Sequence, residues 1–495
     1  MPDAGDTLLQ SIAARPDSAE SYIEYAALLR SNGDPRGDLI DVQLELETAR
    51  GARAKELIFA EEKLLTEHAA HFYGPLAELS TKHRGSFTWR RGFIRGLAVP
   101  PESWGSKGHT VPLPLDKLGP ALDHPAMRLC RELWSKRWPK RLPSCVERLH
   151  LQQAVITERL LAASHLRELD LWTMVASPPL RHERLRVLGL QLKGPALDAL
   201  ASAELPELET LVLRGIGSDD GEPGHVQEVL ARLPARKLFL GVQSKPRDGR
   251  SGWTDGDFAA LAPIAERVEG LELHCPFFSA NLPCPHLRRL KLELHSRTGA
   301  PVGELDFDVL PRARELYLHV RSHQVNHTAL GESFVRSELA KHVRTLHIEA
   351  SRPIGALGKA PLECLEELSV MPMGSMHLDV SHELFKEDAF PGLRTLTLRM
   401  PRQLSGVVES PVASRLETLS LYFDGEAGAK TWLEARNRFP KLRTLVARGT
   451  RQLSGAVRAA LLDGDHDVVW AEHDRWAHAH WFTGAGDARG FAGIV

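Results

Sequence analysis

Residues 166–171 read Leu166-Arg167-Glu168-Leu169-Asp170-Leu171, and residues 185–190 repeat the spacing as Leu185-Arg186-Val187-Leu188-Gly189-Leu190. The last two apolar positions stand two residues apart, the period of a strand that buries one face. The first stands three residues earlier and covers the turn into that strand. Working outward, the pattern recurs from Val146-x-x-Leu149-x-Leu151 to Leu442-x-x-Leu445-x-Ala447, in thirteen copies 19 to 33 residues apart. One copy cannot bury its leucines alone, so neighbours must stack and share a core that grows in one dimension. The length of 495 residues agrees, since it exceeds what one compact core accommodates.

The first hundred residues follow a different period. Leu8, Leu9 and Ile12, then Tyr22, Tyr25, Leu28 and Leu29, lie at helical spacing. Asp17 and Glu20 suit a capping box at the start of the second helix. Asn32-Gly33-Asp34-Pro35 breaks the chain, a third helix begins near Pro35, and a fourth is expected over 54–72. Segments 86–90 and 93–99 read as a hairpin turning at Arg91-Gly92.

The repeats resemble the leucine-rich-repeat superfamily over roughly 300 residues. The N-terminal segment is similar to the bacterial repeat-companion domain. The carriers are Tyr25-Ala26-Ala27-Leu28-Leu29, Gly33-Asp34-Pro35-Arg36-Gly37, Leu39-Ile40, Val42-Gln43 and Trp89-Arg90-Arg91-Gly92-Phe93. The chain has Ala27 and Leu28 where that family usually shows Asp and Trp. The repeats also lack the family's asparagine or cysteine after the strand, with Ala154, Met174, Lys193, Ile216 and Gln243 there instead. The expected fold is therefore α/β: a leucine-rich-repeat solenoid, with a parallel sheet on the concave side and irregular helices and loops on the convex side, behind a small, mostly helical domain. The expected divisions are 1–100 (helical, ending in the hairpin), 101–145 (connector and N-terminal cap), 146–465 (solenoid) and 466–495 (C-terminal cap and loose tail).

Bulk properties narrow the function. Acidic and basic residues nearly cancel, at a net charge of -2, which argues against a dedicated nucleic-acid binder. No apolar run is long enough to span a membrane. No secretory signal opens the chain, and five cysteines without a C-x-x-C pair fit a reduced, cytoplasmic setting. Catalytic spacings fail at specific residues. Gly358-Lys359 is followed by Ala360 where a phosphate loop needs Ser or Thr. His382-Glu383 meets Lys386 where a zinc protease needs its second histidine. The calcium-loop-like start at Asp463 lacks its glycine, having Val468, and has Asp474 at the twelfth position. No cofactor is implied, and the protein is read as non-catalytic.

Partner binding is expected on the concave sheet. Alternation places two rows of side chains there as exposed positions. Interfaces concentrate energy in Trp, Tyr and Arg. The candidate partner-binding residues are therefore Trp172, Arg214, Phe239, Lys291, Tyr317, His319, Arg399 and Tyr422. Their mixed charge suits a protein partner. His274, Glu293, His319 and Glu349 form one row of alternating His and Glu, read as cross-strand pairs, with a metal site as the alternative. His473, His478 and His480, among Trp470, Trp476 and Trp481, read as a cap on the last repeat. Trp134, Lys136, Arg137, Trp138, Lys140 and Arg141, with Arg90, Arg91 and Arg95 nearby, supply the alternative of nucleic-acid contact.

Overall fold

The computed structural model describes residues 4–49, 51–77, 87–98, 120–135, 139, 141–151, 154–155, 163–171, 174–175, 180–192, 196–216, 223–243, 259, 261–274, 284–294, 307–310, 312–320, 325–350, 354–372, 384–385, 388–398, 403–423, 425–448, 453–464 and 466–471. Among these, the chain is α/β with one long, mostly parallel sheet of 17 strands, the arrangement of a solenoid. All thirteen repeat copies form strands of this sheet.

An antiparallel hairpin of β1 (Phe87–Arg90) and β2 (Phe93–Ala98) opens the sheet. It turns through Arg91 and Gly92, with φ of 50° and 76°, the left-handed pair that a two-residue hairpin loop requires. Strand β2 then pairs parallel with β3 (Glu132–Ser135), and β3 with β4 (Arg148–Leu151). The sheet thus begins within the first hundred residues and passes through the segment read as a connector. Parallel pairing continues through β6 (Glu168–Leu171), β8 (Val187–Gln191), β9 (Thr210–Ile216) and β10 (Lys237–Gln243). Next come β11 (Val268–His274), β12 (Arg289–Leu294), β13 (Glu315–Val320), β14 (Thr345–Ala350) and β15 (Glu367–Pro372). The ladder ends with β16 (Thr395–Leu398), β17 (Thr418–Tyr422), β18 (Thr444–Arg448) and β19 (Asp467–Ala471). Two short strands, β5 (Ala154–Val155) and β7 (Met174–Val175), pair separately.

The strand leucines stack in register. Leu290, Leu316, Leu346, Leu368, Leu396, Leu419 and Leu445 are successive partners, all buried in one continuous apolar core. Behind them lie helices such as Pro223–Arg232, His327–Arg336 and Glu426–Ala435, with short 3-10 turns between. Strands repeat every ~4.8 Å, whereas packed helices need about 8–10 Å, so the helical side takes the outside of the bend.

Register is not uniform. At β10–β11 the partners slide by two residues, so that Leu240 faces Leu271 and Gly241 faces Glu272. Phe239 lies beside Gly270 instead of Glu272, and a Cβ added at Gly270 would come within 2.2 Å of the Phe239 ring. The glycine makes room for the ring.

Five helices precede the sheet: α1 (Ala4–Ala14), α2 (Ala19–Ser31), α3 (Arg36–Leu46), α4 (Gly51–Glu67) and α5 (Ala69–Tyr73). Ser18 occupies the N-cap of α2 without a side-chain cap bond, and Asp17 instead accepts from Arg90 Nη1 at 3.1 Å. The fourth expected helix is divided between α4 and α5 at His68. The hairpin is tied to these helices, since Gly92 N–H donates to Gln43 Oε1 and Gln43 Nε2 donates to Glu61 Oε1 of α4, each at 2.6 Å. The far side of α4 meets the other end of the chain. Glu62 accepts from Arg458, the Phe59 ring lies on Gly455, and Leu462 packs on Leu46, Ala54, Leu57 and Ile58. Through α3 at one end and the helix Gly455–Leu461 at the other, α4 therefore links the two ends of the ladder, and the sheet bends round on itself. Among the described residues, no helix is long and apolar enough to cross a membrane.

Candidate interaction surface

The residues between the strand leucines point away from the leucine core, as alternation requires. They are not, however, an exposed row. His150, Asp170, Val212, Phe239, Glu272, Tyr317, Ser369 and Ser420 are all buried. The inner side of the bend crowds these side chains onto one another, which period-two reasoning cannot foresee. They sort into three groups along the ladder.

The first group spans β3 to β9. The rings of Trp134 and His150 stack 3.6 Å apart, and Trp134 Nε1 donates to Glu132 Oε1 at 2.8 Å. His150 lies between two carboxylates, with Nε2 3.3 Å from Glu132 and Nδ1 3.6 Å from Asp170. Arg214 reaches Asp170 with both terminal nitrogens, at 2.6 and 3.4 Å. It does so across β8, where Gly189 leaves the path open. A Cβ at Gly189 would stand 2.2 Å from Asp170 Oδ1. Burial opposes the charge on His150, but Asp170 and Glu132 outweigh it and lift the imidazole to about 9. Burial likewise opposes ionisation of Asp170, while Arg214 and His150 hold its carboxyl well below the usual range. The group is a buried chain of alternating charges, each meeting an opposite one.

The second group is apolar. Phe239 packs on Val212, apart from the leucine core.

The third group spans β11 to β14. Lys291 Nζ pairs with Glu272 and stands 5.4 Å from the Tyr317 ring centre. The Tyr317 hydroxyl donates to Glu349. Burial, then the Glu349 carboxylate, push the Tyr317 phenol up. His319 lies 3.8 Å from both Glu293 and Glu349, and Tyr317 is flanked by the His319 and His347 rings at 6.1 and 6.0 Å. This group is more open than the first. The Lys291 and Glu349 side chains keep 16% and 17% of their surface exposed, against 3% for Asp170.

Of the eight candidates, Lys291, Tyr317 and His319 come together in the third group. Arg214 is committed to Asp170, and Phe239 to Val212. Tyr422 is half-buried opposite Arg448, which donates to Ser420 Oγ at 2.8 Å. Trp172 and Arg399 lie outside the described residues, as do the histidines at 473, 478 and 480. His274, Glu293, His319 and Glu349 are successive strand partners, as the row reading expects. Among the described residues, no three His, Cys, Asp or Glu side chains converge as metal ligands.

The described part of the basic-aromatic segment is occupied within the fold. Trp134 belongs to the first group, and Arg141 lies 3.5 Å from Asp123. Arg90 contacts Asp17, Arg91 is buried against Glu47, and Arg95 donates to the Tyr22 hydroxyl. Lys136, Arg137, Trp138 and Lys140 lie outside the described residues. Glu132 and Glu272, which complete the first and third groups, were absent from the candidate set. Their signal was a carboxylate one strand away from a cation.

No protein-family model and no curated protein matches the chain. Among solved structures, it is similar to a protein from Bacteroides fragilis, with a TM-score of 0.31 and 14% identity over 49% of this chain and 68% of that one. It is also similar to the Rad7 and Elc1 complex in yeast, with a TM-score of 0.29 and 14% identity over 61% of this chain and 82% of that one. Likeness at this level bears on neither family nor function.

Proposed function

We propose that the protein is a leucine-rich-repeat scaffold or adaptor that catalyses nothing and binds a protein partner on its concave sheet. The contact is centred on Lys291 and Glu349, with the buried Tyr317 holding both in place, and extends toward Tyr422. The partly open third group supports this reading. There the Lys291 and Glu349 side chains keep 16% and 17% of their surface in water, on rigid strands and against the buried Tyr317. Aromatic and cationic side chains held this way meet a partner at little entropic cost. The thiols of Cys130, Cys145, Cys284 and Cys364 are free, in keeping with the reducing cytoplasmic setting included in the proposal.

The test is affinity capture from a lysate of the native cell, comparing the wild type with the K291A/Y422A double variant. One stoichiometric protein held by the wild type and lost by the double variant supports the proposal. Equal capture by both overturns it.

A further inference from the structure

One residue after the leading apolar position of each repeat, the chain carries a charge, and successive repeats bring these charges side by side at the entry to the strands. Each backbone N–H here donates to the carbonyl of the preceding one, as Arg288 does to Glu269, Arg314 to Arg288, Arg344 to Arg314 and Glu366 to Arg344, at 2.8–3.0 Å. Across most of the ladder the column alternates in sign. It runs Arg186, Glu209, Arg236 on one side, and Glu366, Arg394, Glu417, Arg443 on the other, while at the β10–β11 slide Glu269 falls 3.7 Å from Lys237 instead of beside Arg236. Such neighbours attract, as Arg344 and Glu366 do at 3.2 Å.

Alternation fails at two places. Arg167 and Arg186 are adjacent, but Glu207 sits 3.7 Å from one and 3.9 Å from the other and neutralises the break. Arg288, Arg314 and Arg344 are also adjacent, and all three are exposed. Among the described residues, the Arg288 and Arg314 guanidinium groups have no acidic partner. Nearby carboxylates are engaged elsewhere, Glu315 with Arg289 at 2.7 Å and Glu338 with Lys341. Like charges on adjacent strands, ~4.8 Å apart, destabilise a sheet. A glutamate at 314 would restore the alternation, yet the chain keeps arginine.

We propose that the row of Arg288, Arg314 and Arg344 docks an acidic polypeptide segment carrying two or three carboxylates within about 10 Å, the width of three strands. Guanidinium forks take carboxylates in pairs of parallel hydrogen bonds. The row is short and is bounded by Glu269 and Glu366, whose charge repels the continuing backbone of a nucleic acid. The choice of a polypeptide rests on the scaffold reading above, but the rim is a separate surface from the concave groups.

The test uses the full chain and a fluorescein-labelled oligoglutamate of about six residues, read by anisotropy at low and physiological salt. A thymidine oligonucleotide of equal length is the competing probe, and thermal unfolding is followed in parallel. We expect the wild type to bind the peptide, and R314E to bind it roughly tenfold or more weakly. R314E should unfold no earlier than the wild type, because its column would alternate from Glu269 to Arg443. K291A should bind the peptide like the wild type, which keeps this test apart from that of the concave face. No peptide binding by the wild type, equal binding by R314E, or tighter binding of the oligonucleotide overturns the proposal.

Discussion

The two polar groups on the concave face use the same strand positions to different ends. Between β3 and β9 the count of charges closes, with Glu132 and Asp170 facing His150 and Arg214, and the side chains are almost wholly buried. Between β11 and β14 the three carboxylates Glu272, Glu293 and Glu349 outnumber Lys291 even with His319 counted beside it, and Lys291 and Glu349 remain partly in water. A glycine underlies the difference. Gly189 lets Arg214 cross a strand and complete the first group, whereas in the third group the central positions hold Lys291 and Tyr317, which fill the face themselves. A closed set of charges is polar core, and an open set on rigid strands is available to a partner.

The sharpest way to break this contrast is D170A. It leaves Arg214 and His150 buried without their shared carboxylate, and we expect a loss of about 3–5 kcal/mol in urea unfolding. E293A, in the third group, leaves His319 its second carboxylate, Glu349, and should cost less, about 1 kcal/mol. Equal losses at the two sites would erase the distinction.

The next effect is pH dependence. The folded value of His150 is raised to about 9, above the ordinary value near 6.5, so the folded chain holds the proton more tightly than the unfolded one. That stabilisation is fully present below about pH 6.5 and is lost as pH rises through about 9, a fall on the order of 3 kcal/mol. Asp170 works in the opposite sense. Its value is depressed, so its contribution is present above the ordinary carboxylate range and is lost on acidification through the folded value. Unfolding free energies measured across the alkaline window should decline in the wild type, and H150Q should flatten the decline.

G189A should cost about 1–3 kcal/mol, since its methyl group would occupy the path between Arg214 and Asp170. A thermal melt indistinguishable from the wild type would remove the glycine from the account. K291A, which takes the cation from the buried Glu272, is expected to cost less than D170A because Lys291 keeps 16% of its side chain in water, about 1–2 kcal/mol, while weakening partner capture. A large stability loss with capture intact would mean that the open group is also polar core.

The leucine ladder was legible because its signal is local, two strand leucines and one turn leucine per copy. Two strands escaped it. β3 has Cys130 and Ser135 at the positions of leucines, both buried, and β19 has Asp465 where the leading leucine would stand. The hairpin turn at Arg91-Gly92 was readable from its residue types, but its place at the head of the parallel sheet depends on β3. The candidate site was less legible. Alternation says which side a residue takes and nothing about crowding on the inside of a bend, so Arg214, Phe239, Tyr317 and His319 read as exposed although all four are buried. The slide at β10–β11 depends on Gly241 and Gly270 meeting bulkier neighbours, which no single strand reveals. The charged column was spelled out in the sequence, but its broken alternation emerges only when the repeats are aligned by their hydrogen bonds.

Hydrogen–deuterium exchange on the protein alone and with its captured partner tests the central claim most directly. The account predicts new protection over 289–294, 315–320 and 345–350, with no change over 148–151 and 168–171. Protection confined to the β3–β9 strands, or absent from the sheet, would contradict it.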